Sequence, residues 1–380
     1  MRILADENIP FAREAFATLG DVELVRGREL GAEALRDCDL LVVRSVTRVD
    51  EGLLGGSRVR FVGTATIGTD HVDLDFLRRQ GIAFASAPGS NANSVAEYVV
   101  AALLVLARRG GTALEGKSIG VVGVGNVGSR VVAKCQALGM KVLENDPPLA
   151  RQSGDPRFLP LDALLEADFL TLHVPLTREG EDATYHLADE RLLARMRPDA
   201  RLLNTSRGAV ADGSALARAI DAGAVGGAVL DVWEGEPAID VGLLGRVALG
   251  TPHIAGYSFD GKVAATEMVY RAACEALGAE ATWSAGPAMP PPEHPRIELA
   301  CRGRSEEDVA REAVLTVYDI EADDRALRGV AGADDVAGCF DRLRKTYRQR
   351  REFHNTSLLL RGASEGLAAK LAGIGFRISR

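Results

Sequence analysis

The chain has 380 residues, which at roughly 100–200 residues per domain predicts two or three domains. Its 45 basic and 53 acidic side chains give a net charge of −8, which argues against a general nucleic-acid-binding protein. An apolar share of 47% excludes wholesale disorder, and the 41 glycines indicate many tight turns and close backbone approaches.

Membrane and metal proteins are also disfavoured. The first residues contain no apolar leader segment, and the longest apolar run, residues 98–107, is far shorter than the roughly 20 residues that cross a bilayer. Five scattered cysteines form no CxxC pair, and the six histidines show no metal-binding spacing. We therefore expect a cytoplasmic protein with reduced cysteines, no metal site and no membrane partner.

The first 110 residues alternate predicted strands and helices. Short apolar runs predict strands at residues 2–5, 22–25, 40–43, 61–64 and 82–85. Helical spacing follows at residues 10–19, 74–80 and 93–109, the last ended by basic residues before a glycine pair. Such alternation is typical of βαβ units in an open, doubly wound parallel sheet.

A second unit of the same kind begins at Gly116, and a smaller module follows a proline-rich linker at residues 286–292. The second unit has predicted strands at residues 117–122, 141–144, 169–174, 201–204, 227–231 and 247–250, and a helix at residues 127–138. A further helix is predicted at residues 257–277, and nothing in the sequence requires it to stay with the second unit. The last module has predicted strands at residues 296–301, 357–360 and 376–378, and helices at residues 306–318, 336–348 and 365–371. The fold class is therefore α/β, with two doubly wound parallel-sheet domains of Rossmann or flavodoxin-like type, a cleft between them and a small C-terminal α+β domain.

The sequence GVGNVG at residues 123–128 lies between a predicted strand and a predicted helix. Its three glycines allow a tight turn, a close approach of the backbone to a pyrophosphate and close helix–strand packing. Asp146 follows about 20 residues later at the end of the next strand, where its carboxylate can bind ribose hydroxyls and repel a 2′-phosphate. Arg151 lies nearby and could attract a 2′-phosphate, so NAD is favoured over NADP without being proved.

Three polar loops follow strands of the second sheet. They contain NTSRG at 204–208, DVWEGEP at 231–237 and TPHIAG at 251–256. Ligands of open α/β sheets bind at the carboxyl ends of strands, so these loops should converge over the reactive end of a dinucleotide. Taken alone, an arginine here could be a surface ion pair and a histidine a structural residue, but their order behind a glycine loop favours a catalytic site.

These motifs resemble those of the D-isomer-specific 2-hydroxyacid dehydrogenase family over residues 1 to about 280. Further resemblance is carried by ILADENIP at 3–10, VRSVT at 43–47, FVGTAT at 61–66, GTDHVD at 68–73 and HIAGY at 253–257. The resemblance implies a substrate-binding domain at 1–92 with 256–286, an NAD-binding domain at 93–255 and a dimerisation domain at 287–380. It also implies a homodimer, a phosphorylated four-carbon hydroxyacid as substrate and a step in pyridoxal 5′-phosphate synthesis.

The resemblance implies a role for each candidate residue. As catalytic residues, Arg207 would hold the substrate carboxylate, His253 would exchange the C2 hydroxyl proton, and Glu236 would orient the imidazole. NAD would be bound by Gly123, Gly125, Asn126, Val127, Gly128, Asp146, Val174, Pro175, Ser206, Arg207, Gly208, Asp231 and Gly256. Substrate would be bound by Ser45, Thr66 and Tyr257, with Arg44 a softer candidate that could equally form a surface ion pair.

The substrate phosphate has no assigned partner. Residues 342–351 carry six cations in ten residues. They predict either a solvated helix face or a segment in which one arginine, such as Arg348 or Arg350, reaches an active site of its own chain or of a dimer partner. Two other functions stay open: a dehydrogenase for 3-phosphoglycerate or another D-2-hydroxyacid, and a non-catalytic NAD-sensing scaffold. The scaffold has little need for Arg207, Glu236 and His253 together.

Overall fold

The computed structural model describes residues 1–379, apart from the side chain of Pro287. It divides the chain into two compact units. The first unit holds Met1–Asn91 and Ser258–Pro291, and the second holds Ala92–Tyr257 and the described residues from Pro292 onwards. The residues after the proline-rich linker therefore pack with the second unit, although they have a sheet of their own.

The strands are short and mostly apolar. In chain order they are Arg2–Asp6 (β1), Asp21–Val25 (β2), Leu40–Val43 (β3), Phe61–Thr64 (β4), Ala83–Ala85 (β5), Ser118–Val122 (β6), Lys141–Asn145 (β7), Phe169–Leu172 (β8), Arg201–Asn204 (β9), Ala228–Leu230 (β10), Leu249–Gly250 (β11), Arg296–Ala300 (β12), Ser357–Arg361 (β13) and Arg377–Ser379 (β14).

The helices range from one turn to five turns. In chain order they are Ala12–Phe16 (α1), Glu51–Leu54 (α2), Leu74–Gln80 (α3), Ala92–Gly110 (α4), Asn126–Ala137 (α5), Pro147–Ser153 (α6), Leu161–Leu164 (α7), Glu190–Leu193 (α8), Gly213–Asp221 (α9), Val241–Arg246 (α10), Phe259–Leu277 (α11), Glu306–Val317 (α12), Ile320–Arg328 (α13), Val336–Lys345 (α14) and Glu365–Gly373 (α15). Single 3₁₀ turns lie at Gly27–Glu29, Ala32–Leu35, Gly208–Val210, Gly286–Ala288 and Phe353–Asn355.

The first unit is a parallel sheet in the order β2-β1-β3-β4-β5. The central strands β3 and β4 are buried on both faces, which is why they read as continuous apolar runs in the sequence. Helix α3 shows how the sequence sets its ends. The side chain of Asp73 accepts a hydrogen bond from the N–H of Phe76, and Gly81 ends the helix in the left-handed conformation.

The second unit contains a parallel sheet in the order β11-β10-β9-β8-β6-β7. The chain runs from β6 to β7 on one side and then crosses to β8 on the other, so the strand order reverses between β6 and β8. A reversal of this kind opens a crevice at the carboxyl ends of the two strands, where ligands of doubly wound folds bind. The loops that follow β6 and β8 lie at this point.

Helix α4 joins the two parts of the second unit. Its residues from Val95 to Ala107 are buried, and they share one apolar core with β6, α5 and the C-terminal elements. The C-terminal sheet has the order β12-β13-β14 and is parallel throughout. A helix that the sequence did not suggest, α13, lies between the two helices predicted there. Among the described residues, no helix is long and apolar enough to span a membrane.

Candidate active site

The glycine loop between β6 and α5 is built around close backbone contacts. Gly123 has a φ of 85°, and a Cβ atom on it would lie 2.6 Å from the carbonyl oxygen of His173. A Cβ on Gly128 would lie 1.9 Å from the carbonyl oxygen of Gly123. Gly125 differs, because a Cβ there would meet no atom within 4 Å. It precedes α5 without a side-chain cap, so the first N–H groups of the helix remain available to an anion such as a pyrophosphate.

The carboxylate of Asp146 lies beside this loop. Its Oδ2 accepts a hydrogen bond of 2.8 Å from the N–H of Val124, and its Oδ1 accepts one of 3.0 Å from Leu149 at the start of α6. Arg151 on the same helix forms ion pairs with Asp182 and Glu181. Its charge is therefore balanced within the protein. A glycine cradle, a helix N-terminus and a fixed carboxylate fit the pyrophosphate and ribose of a dinucleotide without a 2′-phosphate.

His173, at the end of β8, connects the glycine loop to the loop after β9. Its Nε2 lies 2.9 Å from the hydroxyl of Thr171, and its Nδ1 lies 3.2 Å from the hydroxyl of Thr205. Burial lowers the pKa of His173 to about 3, so the imidazole is neutral at physiological pH. Val174 follows it against Gly123, and the exposed Pro175 comes next. Sequence reasoning missed His173, because a histidine at a strand end has no distinctive spacing.

The loop after β9 is fixed by Asn204, which is fully buried. Its Oδ1 accepts hydrogen bonds from the N–H and the hydroxyl of Ser206, at 3.0 and 2.8 Å, and its Nδ2 donates to the carbonyl oxygen of Arg207 at 2.9 Å. Gly208 packs so closely on the next loop that a Cβ would lie 2.1 Å from the backbone of Trp233. The loops that carry Arg207 and Glu236 are therefore in direct contact.

Glu236 and His253 are hydrogen-bonded to each other. The Nδ1 of His253 donates to Oε1 of Glu236, whose Oε2 accepts a 3.1 Å hydrogen bond from the N–H of Trp233. Burial alone would raise the pKa of Glu236, but the hydrogen bond and charge of His253, with smaller contributions from Trp233 and Arg344, lower it overall. The carboxylate is thus ionised and holds the ring in one tautomer, which leaves Nε2 for proton transfer.

Asp231 organises the backbone around His253. Its buried carboxylate accepts hydrogen bonds from the hydroxyl of Thr251 at 2.6 Å and from the N–H groups of Ile254 at 2.8 Å and Ala255 at 2.9 Å. Burial raises the pKa of Asp231, against the opposing effects of His253 and these donors. The resemblance made Asp231 a cofactor contact. The geometry also makes it the residue that positions His253.

The predicted substrate residues of the first unit lie at one edge of its sheet. Arg44 and Ser45 follow β3, and Thr66 follows the neighbouring strand β4. The hydroxyl of Thr66 donates to the carbonyl oxygen of Gly68 at 3.0 Å and lies 2.7 Å from the hydroxyl of Thr64. His71 lies 3.0 Å from Thr64 in turn.

Tyr257 ends the main segment of the second unit and packs against the C-terminal helices. Its ring contacts that of Tyr347 edge-on, with 5.9 Å between centroids, and the guanidinium carbon of Arg344 lies 5.8 Å from its ring centroid. Of the two arginines suggested for a phosphate, Arg350 is buried and paired with Glu97, and Arg348 is exposed. Arg350 therefore lies inside the protein, and the suggestion that Arg348 or Arg350 reaches an active site stays a prediction.

Comparison with known proteins agrees with this geometry. The family model described as D-isomer specific 2-hydroxyacid dehydrogenase, NAD binding domain, matches residues 97–255, and a domain of unknown function matches residues 289–375. The erythronate-4-phosphate dehydrogenase of Cronobacter sakazakii is 49% identical over 99% of this chain and 98% of its own. That of Salinibacter ruber is 51% identical over 93% and 92%.

Solved structures resemble a shorter part of the chain. The TT0316 protein of Thermus thermophilus has a TM-score of 0.65 and 29% identity, over 74% of this chain and 99% of its own. The D-lactate dehydrogenase of Aquifex aeolicus, solved with NAD and lactic acid, has a TM-score of 0.60 and 27% identity, over 73% and 96%. About a quarter of this chain has no counterpart in either structure.

Proposed function

Because the chain belongs to the D-isomer specific 2-hydroxyacid dehydrogenase family, with erythronate-4-phosphate dehydrogenases among its full-length relatives, we propose that it oxidises 4-phospho-D-erythronate with NAD. The product is (R)-3-hydroxy-2-oxo-4-phosphooxybutanoate, and the reaction serves pyridoxal 5′-phosphate synthesis. The observation that carries the proposal is the hydrogen bond from His253 to an ionised Glu236, at a strand-end loop beside the loop of Arg207.

Arg207 binds and orients the substrate. A guanidinium offers two parallel N–H groups to a carboxylate, and the buried Asn204 holds the backbone from which Arg207 projects. The hydroxyl-bearing C2 then lies next to the carboxylate that Arg207 holds. Ser45, Thr66 and Tyr257 complete the polar contacts, with Arg44 as a further cation. The bound NAD supplies the acceptor for the hydride that leaves C2.

His253 removes the proton from the C2 hydroxyl at its Nε2 as the carbonyl forms, and returns it in the reverse reaction. Glu236 favours the tautomer with a proton on Nδ1 and stabilises the imidazolium after the transfer. Asp231 acts through the backbone by holding the residues on both sides of His253. One titratable group therefore serves as base in oxidation and as acid in reduction.

The test is turnover of the purified protein, followed by the near-ultraviolet absorbance of reduced nicotinamide, with 4-phospho-D-erythronate, 3-phosphoglycerate and unphosphorylated D-2-hydroxyacids. We expect 4-phospho-D-erythronate to give the highest kcat/KM. The substitution His253→Ala should lower kcat by about 10²–10⁴-fold and leave NADH affinity unchanged. His294→Ala, remote from these loops in sequence, is the matched control. Tight NADH binding without turnover of any acid would instead favour a sensing scaffold.

We further propose that the protein works in the cytoplasm as a homodimer formed through its C-terminal part. The support is the expected dimerisation domain at residues 287–380. A mass of two chains in light scattering would agree with the dimer, and a mass of one chain would contradict it.

A further inference from the structure

Arg344 is a cation on the C-terminal helix α14 that interacts with Tyr257 and Asp341 but leaves one of its N–H donors without an acceptor. About a quarter of its side chain is exposed, and its Nε is buried without a hydrogen-bond partner among residues 1–379. Its ion pair with Asp341 is long, with Nη1 3.9 Å from Oδ1. A buried N–H donor that lacks an acceptor is unfavourable, so this guanidinium is suited to an acceptor that arrives with a ligand.

The position of Arg344 points to that ligand. Its guanidinium carbon lies 5.8 Å from the ring centroid of Tyr257 and 6.0 Å from that of Phe340. Its positive charge also interacts with the carboxylate of Glu236 and helps to lower the pKa of that group. Glu236 in turn holds His253. Arg344 therefore belongs to the surroundings of the proposed catalytic pair, although it comes from the C-terminal part of the chain.

The relatives and the solved structures differ in the substrates that their names give and in how much of this chain they match. The relatives named for a phosphorylated acid match nearly the whole chain, including residues 289–375. The lactate dehydrogenase, whose substrate carries no phosphate, leaves about a quarter of the chain unmatched. An arginine is well suited to phosphate, because its planar fork donates parallel hydrogen bonds to two oxygens.

We propose that Arg344 binds the phosphate group of the substrate, supplied in cis by the C-terminal part of the chain beside Tyr257. This inference rests on the proposed function. It gives α14 a role in substrate specificity. No sequence signal distinguished Arg344 from the neighbouring cations of residues 342–351.

The experiment compares Arg344→Met and Arg344→Lys with the unchanged protein. For each protein, kcat/KM is measured with 4-phospho-D-erythronate, and D-erythronate is tested as a competitive inhibitor, which requires no turnover of it. We expect Arg344→Met to lower kcat/KM for the phosphorylated acid by about 10–100-fold through a higher KM, while the inhibition constant of D-erythronate changes less than about twofold. Arg344→Lys should retain part of the effect, since it keeps the charge and loses the fork.

The control is Arg342→Met, since Arg342 is an exposed cation on the same helix. NADH affinity of each variant shows that it is folded. Equal losses of affinity for both acids in Arg344→Met would overturn the proposal and make Arg344 a residue that only supports Glu236. An unchanged KM would overturn it as well. If the unchanged protein does not oxidise 4-phospho-D-erythronate, the proposed function fails instead, and this outcome is distinct from the other two.

Discussion

At the scale of single residues, the least expected feature is a cluster of charges inside the second unit. Glu97 of α4 and Arg350 have side chains with no exposed surface, and Nη1 of Arg350 lies 3.3 Å from Oε2 of Glu97. The carboxylate of Glu352 approaches the same site through Asn93, whose Nδ2 donates to both glutamates. Lys134 contributes a further positive charge. Two carboxylates that share a buried site cannot both ionise without a large penalty.

This cluster predicts a pH-dependent stability. Burial and then the charge of Glu352 raise the pKa of Glu97 to about 8, from an ordinary value of 4.5. Between these two values the folded chain binds more protons than the unfolded chain, so the free energy of unfolding falls as the pH rises through that window. The slope from one such group is at most about 1.4 kcal/mol per pH unit. Chemical denaturation at a series of pH values measures it.

The substitution Glu97→Gln separates the two protonation states. Glutamine imitates the protonated acid, so we expect the variant to lose little stability at about pH 5 and to show a flatter pH profile. Glu298→Gln, at an exposed pair with Arg361, is the control and should leave the profile unchanged. A loss of about 3–5 kcal/mol at all pH values would instead mean that Glu97 is ionised and that its pair with Arg350 was broken.

At the scale of elements, the turn between β6 and α5 combines two kinds of glycine. Gly128 has no room for a methyl group because of the backbone of Gly123, whereas Gly125 faces open space, with a φ of −73° and a ψ of −145°. One glycine is required by packing within the protein. The other leaves room at the N-terminus of a helix.

The two glycines should therefore respond differently to alanine. Gly128→Ala must shift the turn, and we expect it to lower the free energy of unfolding by about 1–3 kcal/mol in the absence of cofactor. Gly125→Ala should lower that free energy by less than Gly128→Ala, because its methyl group meets no atom of the protein. It should weaken NADH binding by at least about tenfold, because the methyl group occupies space that a pyrophosphate needs. Thermal unfolding without cofactor and fluorescence titration with NADH measure both. If Gly125→Ala bound NADH normally, the pyrophosphate would not lie at this turn.

The strands and helices were predictable where local sequence decides them. The bounds of β3, β4, β9 and α3 agree with their predicted ranges, since each is an apolar or amphipathic run between turn residues. Helix α13 was not predicted, because its sequence IEADDRALR is largely polar. Its Asp324 is buried, and the carboxylate accepts a 2.7 Å hydrogen bond from the N–H of Gly250, which is distant in sequence. Contacts between residues far apart in the chain leave no local pattern.

Prediction of the candidate site from sequence also failed where contacts join residues far apart in the chain. The motifs marked Arg207, Glu236 and His253, because strand-end loops with these residue types are visible in sequence order. The sequence did not show that Asn204 fixes the loop of Arg207. It also did not show that Arg344 and Arg350 have different surroundings. Arg350 is buried beside its hydrogen-bond partner Glu97, which lies 253 residues earlier in the chain. Only the packing of the C-terminal part shows that Arg350 and Arg351, alone among the cations of residues 342–351, are buried.

At the scale of the whole molecule, the C-terminal part completes the core of the second unit. Leu299, Val309 and Phe353 belong to the same apolar core as Tyr98 of α4 and Val131 of α5. Helix α12 packs on α4, and α15 packs on α5. Without these elements, a face of the NAD-binding part would expose apolar side chains to water.

We therefore predict that a chain ending at Pro291 does not fold stably. It should aggregate or bind a hydrophobic dye strongly and show no cooperative thermal transition, whereas the full chain should unfold cooperatively. Circular dichroism and dye fluorescence on both chains measure this. The prediction is wrong if the shortened chain unfolds cooperatively and binds NADH with normal affinity.

The hydroxyl of Ser94 donates a 2.8 Å hydrogen bond to the carbonyl oxygen of Ala255. These residues lie just inside the first two of the three points at which the chain passes between its units. The segment from Ala92 to Tyr257 is therefore inserted into the sequence of the first unit, with a beginning and an end that meet at one place. A segment with adjacent ends can enter a host gene, or be exchanged between genes, without stretching the host chain. Recombination at these two junctions would thus transfer the cofactor-binding sheet together with the loops of Arg207, Glu236 and His253, and the recipient chain would also have to supply the C-terminal part that covers its core.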